Sequence, residues 1–567
     1  MNKNLFVLPT VILLLSLSGA FGVIPLKRDS VGLVLSGTQI SGKVTSSDGK
    51  PLVLAHVFLT NLQGNYRQPL QTVAVGEDGQ FAIQVPEPGM YRLFITAVNH
   101  DHPSIPLILD AEMPEVEVDV QLAPLDYKHQ FDAVQIIGDW NNFNWNDADS
   151  MKKQEDGTFI YERQVQADTT SYQLIGITRD SRSVNGTQAD YYTYDGGGDY
   201  ISVLKVKQGK VRIIFEPTKL LRTTDRSLPH VVFRKQNSRL QKLWDVESNV
   251  QKQKDTYISS AMKYRETHDD MEGFRFDWSE TVAILKNQMH EESDRVVRQF
   301  AAIQLCQLLV YNVDIDSASV VEILDLLPPN SAMWSIQPML VGGVGSKLGK
   351  ERGKQILKQF LDENPDREVR AMSLPHLIWM ARKEGDKEGA TRYYDKLKDE
   401  YGDLPDAQYY IKALDPNKRI MAGKPVPDFE VKLMGNNETV SNKSLLSKFY
   451  LLDFWATWCG PCVAEMKNLH TAYDKFKDKN FTILSLSFDA KPENVVKFRE
   501  KKWKMPWMHA FVKGGFSSEL AKTFEVLGIP KPILVGPDGI ILEMEGALRG
   551  ANLENTLVKY LGSPSKQ

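Results

Sequence analysis

Leu452-Asp453-Phe454-Trp455-Ala456-Thr457-Trp458-Cys459-Gly460-Pro461-Cys462 sets the fold expected for the last quarter of this chain. Phe449 to Trp455 is an apolar run of strand length, and it leads directly into a Cys-x-x-Cys pair. Val463 to Phe476 then shows helical spacing. Cys459 therefore falls where a strand gives way to a helix. The start of a helix carries partial positive charge and unpaired N–H groups, and both favour a thiolate over a thiol. The pKa of Cys459 is expected to fall toward neutrality, making it the attacking sulfur. Cys462, one turn later, is expected to resolve the mixed disulfide that forms. Pro461 suits the first turn, where its missing N–H would be unbonded anyway.

Beyond the pair, Phe481 to Ser487 predicts a second buried strand and Asn494 to Trp503 a second helix. Pro532 to Val535 and Ile540 to Met544 flank Pro537-Asp538-Gly539, a turn between antiparallel strands. Ala551 to Leu561 closes as a helix, and Pro425 to Leu446 opens the unit as an extended stretch with a hairpin. That order implies a central sheet covered on both faces. A Cys-x-x-Cys is also half of a zinc site, but the chain holds only three Cys and no His-x-x-x-His follows the pair. A structural zinc needs four ligands, so no metal site is expected. Cys306 shares helical spacing with Ile303 and Val310 and is expected to be a buried, unreactive thiol.

The run from Leu452 to Cys462 resembles the active-site segment of the thioredoxins, and the domain resembles the exported TlpA/ResA-type thiol-disulfide oxidoreductases. The resemblance implies a thioredoxin-like α/β fold and disulfide chemistry with no cofactor. It implies that Asp453 is the buried carboxylate that moves the proton of the resolving Cys, with burial raising its pKa. It also implies that Pro530, in Gly528-Ile529-Pro530, is the cis-proline facing the pair and binding client backbone, with Ile529 and Trp458 beside it. Glu465 matches an active-site-lining Glu, with a solvated first-turn Glu as the alternative. Gly460 and Pro461 form the thioredoxin dipeptide, and thioredoxin is strongly reducing, at about −270 mV. One departure is that Met466-Lys467 stands where related helices often have a kinking Pro. His470 and His509 are expected to be surface or packing residues.

Upstream, residues 38–124 alternate short apolar strands with turns such as Asp48-Gly49, Asp78-Gly79 and Pro88-Gly89. The pattern from Gly42-x-Val44 to Pro88-Gly89-x-Tyr91 resembles the carboxypeptidase regulatory-like domain, a small β-sandwich. His100-Asp101-His102 lacks a further ligand nearby and is not read as a metal site. Residues 125–217 are a second β-rich stretch, and Gly138-Asp139-Trp140-Asn141 gives it a resemblance to early-set sandwiches of glycogen-binding modules. Trp140, Phe143, Trp145, Tyr191, Tyr192 and Tyr194 would be the sugar-stacking candidates, with packing back onto their own domain as the alternative. From 236 to 418 the period becomes helical. Met372 to Tyr401 reads as two helices about Glu384-Gly385-Asp386 and resembles one tetratricopeptide-like unit. Gly349-Lys350 fails as a phosphate loop because Val344 and Glu351 occupy required positions. The redox unit takes 419–563.

With 567 residues, 42% apolar and 25% charged, the chain has enough core for several domains, and a net charge of −4 argues against nucleic acid as a partner. Residues 1–22 read as a secretory signal, with Lys3, the apolar stretch Leu5 to Leu17, and Ala20-Phe21-Gly22 at the cleavage site. An uncleaved anchor is the alternative. The expectation is a protein working outside the cytoplasm, in a bacterial periplasm or envelope, with disulfide-containing protein clients and a membrane-bound electron donor. Three other functions stay open: an oxidase or isomerase using the same residues, an envelope binding protein with an auxiliary redox domain, and a thiol peroxidase. The last usually has Thr-x-x-Cys, and here Trp458 precedes the Cys.

Overall fold

The computed structural model describes residues 37–563 apart from 53, 63–67, 180–181, 197, 224–226, 235–237, 269–272 and 437. The expected signal segment, 1–22, lies outside the described residues. The chain divides into two compact units, one holding 37–254 with 278–370 and the other 255–277 with 371–563.

The first unit opens with β1 (Thr38–Thr45), β2 (Ala55–Asn61), β3 (Gln71–Ala74), β4 (Gln80–Val85), β5 (Gly89–Ala97), β6 (Ser104–Leu109) and β7 (Glu115–Gln121). Side chains alternate across each strand, so Ile40 and Val44 of β1 point into the core while their neighbours face out. One sheet has the order β3-β2-β5-β6. In the other, β1 runs antiparallel to β4 and parallel to β7. A Cβ at Gly42 would stand 1.7 Å from the carbonyl oxygen of Val118, so only glycine allows this approach of β1 to β7.

The second β region comprises β8 (Gln135–Gly138), β9 (Asp149–Ser150), β10 (Lys152–Lys153), β11 (Phe159–Gln164), β12 (Thr169–Ile175), β13 (Tyr191–Tyr194), β14 (Tyr200–Lys205) and β15 (Lys210–Phe215). Its sheets are β13-β14-β12-β8-β9 and β10-β11-β15, around a core that includes Tyr172, Phe159 and Phe215. A further strand, β16 (His230–Arg234), then returns to the first region and pairs antiparallel with β7, completing the order β16-β7-β1-β4. The sequence of residues 218–235 carries no clear element signal. The strand His230-Val-Val-Phe-Arg234 is short and alternates, which by itself does not say what it pairs with.

Helices follow: α1 (Ser238–Thr267), α2 (Ser279–Glu291), α3 (Arg295–Gln307), α4 (Ser317–Leu326), α5 (Leu340–Lys347), α6 (Lys350–Glu363), α7 (Arg367–Glu384), α8 (Lys387–Tyr401) and α9 (Pro405–Ala413). Asp294, Asp316 and Asp386 cap α3, α4 and α8 by accepting first-turn N–H groups. Trp334 is fully buried, donates its indole N–H to Leu327 and Pro328 carbonyls at 3.2 and 3.1 Å, and meets Phe360 edge-on. The helical pair expected about Gly385 is α7 and α8, with Gly385 at φ +76° between them.

The C-terminal domain contains β17 (Glu430–Lys432), β18 (Thr439–Ser441), β19 (Phe449–Trp455), α10 (Gly460–Ala464), α11 (Met466–Phe476), β20 (Phe481–Ser487), α12 (Pro492–Lys501), β21 (Met508–Phe511), α13 (Glu519–Thr523), β22 (Lys531–Val535), β23 (Ile541–Met544) and α14 (Ala551–Leu561). The sheet order is β21-β20-β19-β22-β23, a mixed thioredoxin-like sheet with β19 at its centre. β20 runs parallel to β19 and β22 antiparallel. Being central, β19 is buried on both faces from Tyr450 to Trp455, which is why it reads as an unbroken apolar run. The helix after the pair does break, without a proline: Glu465 ends α10, and its N–H donates to the carbonyls of Cys462 and Val463.

Candidate active site

The C-terminal end of β19 delivers the pair. Cys459 is the N-cap of α10 and its Sγ accepts the backbone N–H of Cys462 at 3.2 Å. Gly460 and Pro461 form the first turn between them. The two sulfurs are joined as a disulfide. Cys459 and Cys462 are 5% and 2% exposed, so a client must reach a sulfur set nearly flush with the surface.

Pro530 follows a cis peptide bond with Ile529. The carbonyl oxygen of Ile529 lies 3.7 Å from the Sγ of Cys459, which places the segment before β22 against that sulfur. Trp458 is 59% exposed beside that sulfur. Its ring centroid lies 6.5 Å from that of Phe516, also exposed and backed edge-on by Phe488. Next to Pro530, Lys531 is buried and donates its Nζ to the Glu525 carbonyl at 2.7 Å, and burial pulls the amine down to about 8.

Asp453 is buried on β19, the strand that leads into the pair. Burial pushes its carboxyl up to about 7, the hydroxyl of Ser485 works against that rise, and the charge of Glu465 adds to it. Asp453 has a partner that the sequence does not announce: Ser485, its register neighbour on β20, donates to Oδ2 at 3.0 Å. Ser485 in turn accepts the indole N–H of Trp507 at 2.9 Å.

Glu465 occupies the break between α10 and α11. Its Oε2 accepts the backbone N–H of Gly550 at 2.9 Å and the side-chain N–H of Asn468 at 3.0 Å, and its Oε1 stands 3.6 Å from Arg549 Nε. It ties the active-site helix to the start of α14. A second buried carboxylate, Asp489, is likewise not announced by the sequence. It accepts the N–H of Thr457 at 3.0 Å, the Thr457 hydroxyl and the Ser487 hydroxyl at 2.8 Å, and so fixes the loop just ahead of Cys459. The signal available was an acidic residue at the end of an apolar strand, Asp489 after Phe488.

His470 packs between Trp503 and Trp507, with ring centroids 5.1 and 4.8 Å away. His509 is buried with its Nε2 3.0 Å from the Met505 carbonyl, and burial together with Arg499 pulls it down to about 3. Both are packing residues. Cys306 is fully buried in α3, and burial pushes its thiol up to about 12.

Several of the other candidate groups are engaged within their own region. Trp140 stacks on Tyr161, donates to Asp149 at 3.0 Å and lies under the guanidinium of Arg163. Tyr194 stacks on His56, and Phe143 packs on Ile137 and Ile175. Trp145 and Tyr191 are each 47% exposed, and Tyr192 is partly buried. Asp101 pairs with Arg182 at 2.8 Å, and His102 lies 3.6 Å from Asp199. Among the described residues no cluster of His, Cys, Asp or Glu has the makings of a metal site, and no helix is long and apolar enough to cross a membrane.

A thioredoxin-like family model matches residues 447–541, and a carboxypeptidase regulatory-like domain model matches residues 39–123. The thiol-disulfide oxidoreductase ResA of Bacillus thuringiensis is 32% identical over 143 residues, which are 25% of this chain and 80% of that protein. ResA of Oceanobacillus iheyensis is 31% identical over 156 residues, 27% of this chain and 78% of that protein. Among solved structures, the thioredoxin domain of a thiol-disulfide oxidoreductase from Bacteroides vulgatus is 31% identical and covers 25% of this chain and 99% of its own, with a TM-score of 0.24.

Proposed function

This chain belongs, through its C-terminal domain, to the thioredoxin-like, ResA-type thiol-disulfide oxidoreductases, and we propose that it reduces disulfides of extracytoplasmic proteins through a Cys459/Cys462 dithiol cycle. The observation that carries the reading is the Sγ of Cys459 at a helix start, accepting the Cys462 N–H, with a buried carboxyl near neutrality on the strand that leads into it. A backbone N–H aimed at that sulfur favours its thiolate.

In the reduced protein, the Cys459 thiolate attacks one sulfur of the client disulfide. The client S–S bond breaks, a mixed disulfide forms, and the departing client sulfur takes a proton. Asp453 then accepts the proton of Cys462, whose thiolate attacks the Sγ of Cys459. The second client sulfur leaves with the electron pair, and the protein is left as the disulfide seen here. Two electrons have passed to the client. A dithiol donor, membrane-bound in this reading, restores the pair. The Ile529 carbonyl, Pro530 and the exposed Trp458 ring provide the surface on which the client backbone lies. The protein works outside the cytoplasm, as the segment 1–22 predicts.

Cys459→Ser must abolish reduction of a protein disulfide by the purified protein, and Cys462→Ser must trap clients as mixed disulfides on Cys459. A measured potential near that of thioredoxin, about −270 mV, supports the reductase direction, and one near about −120 mV makes the protein an oxidase instead. Activity that survives Cys459→Ser overturns the assignment.

A further inference from the structure

The described site leaves one buried polar chain unused: Trp507 Nε1 to Ser485 Oγ at 2.9 Å, and Ser485 Oγ to Asp453 Oδ2 at 3.0 Å. Ser485 is completely buried, Asp453 is 4% exposed and Trp507 is 6% exposed. An indole nitrogen can only donate, and a serine hydroxyl has a single proton. Trp507 therefore fixes Ser485 Oγ as an acceptor on one side. Toward the ionised form of Asp453, which can only accept, the hydroxyl donates its proton. Oδ2 is thereby occupied by a donor. Oδ1 has no protein donor among the described residues.

We propose that Ser485 and Trp507 are positioning residues for Asp453: the indole orients the hydroxyl, the hydroxyl holds Oδ2, and Oδ1 is the atom that receives the proton of Cys462. The inference rests on the reading above that Asp453 serves the resolving step. In that step the S–H bond of Cys462 breaks, an O–H bond forms at Oδ1, and the new thiolate displaces the client sulfur. The proton then leaves to solvent as the site reopens. The chain works against burial. Without it the acid would hold its proton too tightly to exchange it near neutrality, because a buried carboxylate with no donor is strongly disfavoured.

The surroundings leave few rivals for this effect. From the α10–α11 junction the facing charge is Glu465, which raises Asp453. Across the other edge of β19 the register partner is Pro532, which does not titrate. Around the Trp507 ring lie His470 and Tyr473 of α11 and His509 of β21, and Arg499 of α12 acts on His509. His470 and His509 are the groups a pH titration of Trp507 must be separated from.

The test follows the Asp453 carboxyl carbon and the Trp507 indole N–H by NMR across pH in the full-length protein. In the wild type, both resonances should share one midpoint, and Asp453→Asn must erase it at Trp507. A Trp507 midpoint that survives Asp453→Asn belongs to a histidine and overturns the coupling. In Ser485→Ala the Asp453 midpoint should rise by about one pH unit, because a donor to the ionised form is lost. Trp507→Phe removes the orienting N–H and should move it the same way by less. The pH profile for release of a client mixed disulfide should rise with it. An Asp453 midpoint unmoved or lowered in both variants overturns the proposal. So does a midpoint that rises while the release profile stays put. The Asp453 titration needs no client, so failure of the reductase reading would appear separately, as activity surviving Cys459→Ser.

Discussion

The buried carboxylate of Asp489 accepts both the backbone N–H and the hydroxyl of Thr457, two residues ahead of Cys459. A loop that must present a sulfur is thus anchored by an acid on the neighbouring strand's end, which also takes the Ser487 hydroxyl. Asp489→Ala strands these donors. At about 1–3 kcal/mol for each buried group left unpaired, partly relieved by water, the loss should be about 3 kcal/mol in urea unfolding. Client reduction should slow about tenfold as Cys459 loses its placement. Asp489→Asn keeps one acceptor oxygen and should lose less on both counts. A loss under about 0.5 kcal/mol for the alanine variant would deny the anchoring role.

Asp453 should make the oxidised protein less stable as pH rises. Below its ordinary value of 3.8 the acid is protonated whether folded or not, and nothing is lost. Between 3.8 and about 7 the unfolded chain ionises while the folded acid keeps its proton, so stability falls, and above about 7 the loss levels off. Its full size is roughly 4 kcal/mol. Asp453→Asn removes it but leaves an amide N–H₂ to satisfy, at about 1–3 kcal/mol. The variant should therefore be about 2 kcal/mol more stable than wild type at pH 8 and no more stable at pH 4. An equal difference at both pH values in urea unfolding would refute this.

Glu465→Gln keeps an acceptor for the Gly550 N–H but removes a charge that raises Asp453. The Asp453 midpoint, followed by carboxyl NMR, should fall. The partly exposed pair with Arg549 adds little, so stability should drop by less than about 1 kcal/mol. A rise in the midpoint would contradict the geometry at the α10–α11 break.

Cys306 should be silent in the native protein. Its thiol is buried and held well above the ordinary range, while Cys459 and Cys462 are joined. An aromatic disulfide reagent should find no reactive thiol at pH 8 in the oxidised native protein and one after denaturation. Labelling at a rate similar to a free peptide thiol would mean that the helical region opens around α3.

The parts of the fold legible in the sequence were those whose burial is complete or strictly periodic. Phe449–Trp455 and Ala551–Leu561 have the predicted bounds because one is a doubly covered central strand and the other a regular closing helix. Met508–Phe511 gives no strand signal in the sequence, since four residues interrupted by His509 carry no period of their own. The pair is legible because its chemistry needs two Cys at fixed spacing, and Pro530 through its resemblance to the thioredoxin cis-proline, where the structure has a cis bond. Ser485, Trp507 and Asp489 were not. A serine, a tryptophan and an aspartate acquire their roles only when β20, β21 and the loop after β20 are brought against β19. Glu465 is visible in the sequence as a position, yet its bond to the Gly550 N–H spans 85 residues and carries no local signal.

The strand His230–Arg234 has a consequence for biosynthesis. It completes a sheet whose other members all precede residue 122, and the whole second β region is made in the interval. At about 5–20 residues per second, the edge of Glu115–Gln121 stays open on the ribosome for roughly ten seconds before its neighbour emerges. An open edge is a template for pairing with another chain. The nascent protein thus passes through a window in which intermolecular strand exchange competes with correct closure, and a truncation anywhere in residues 125–229 would make that window permanent.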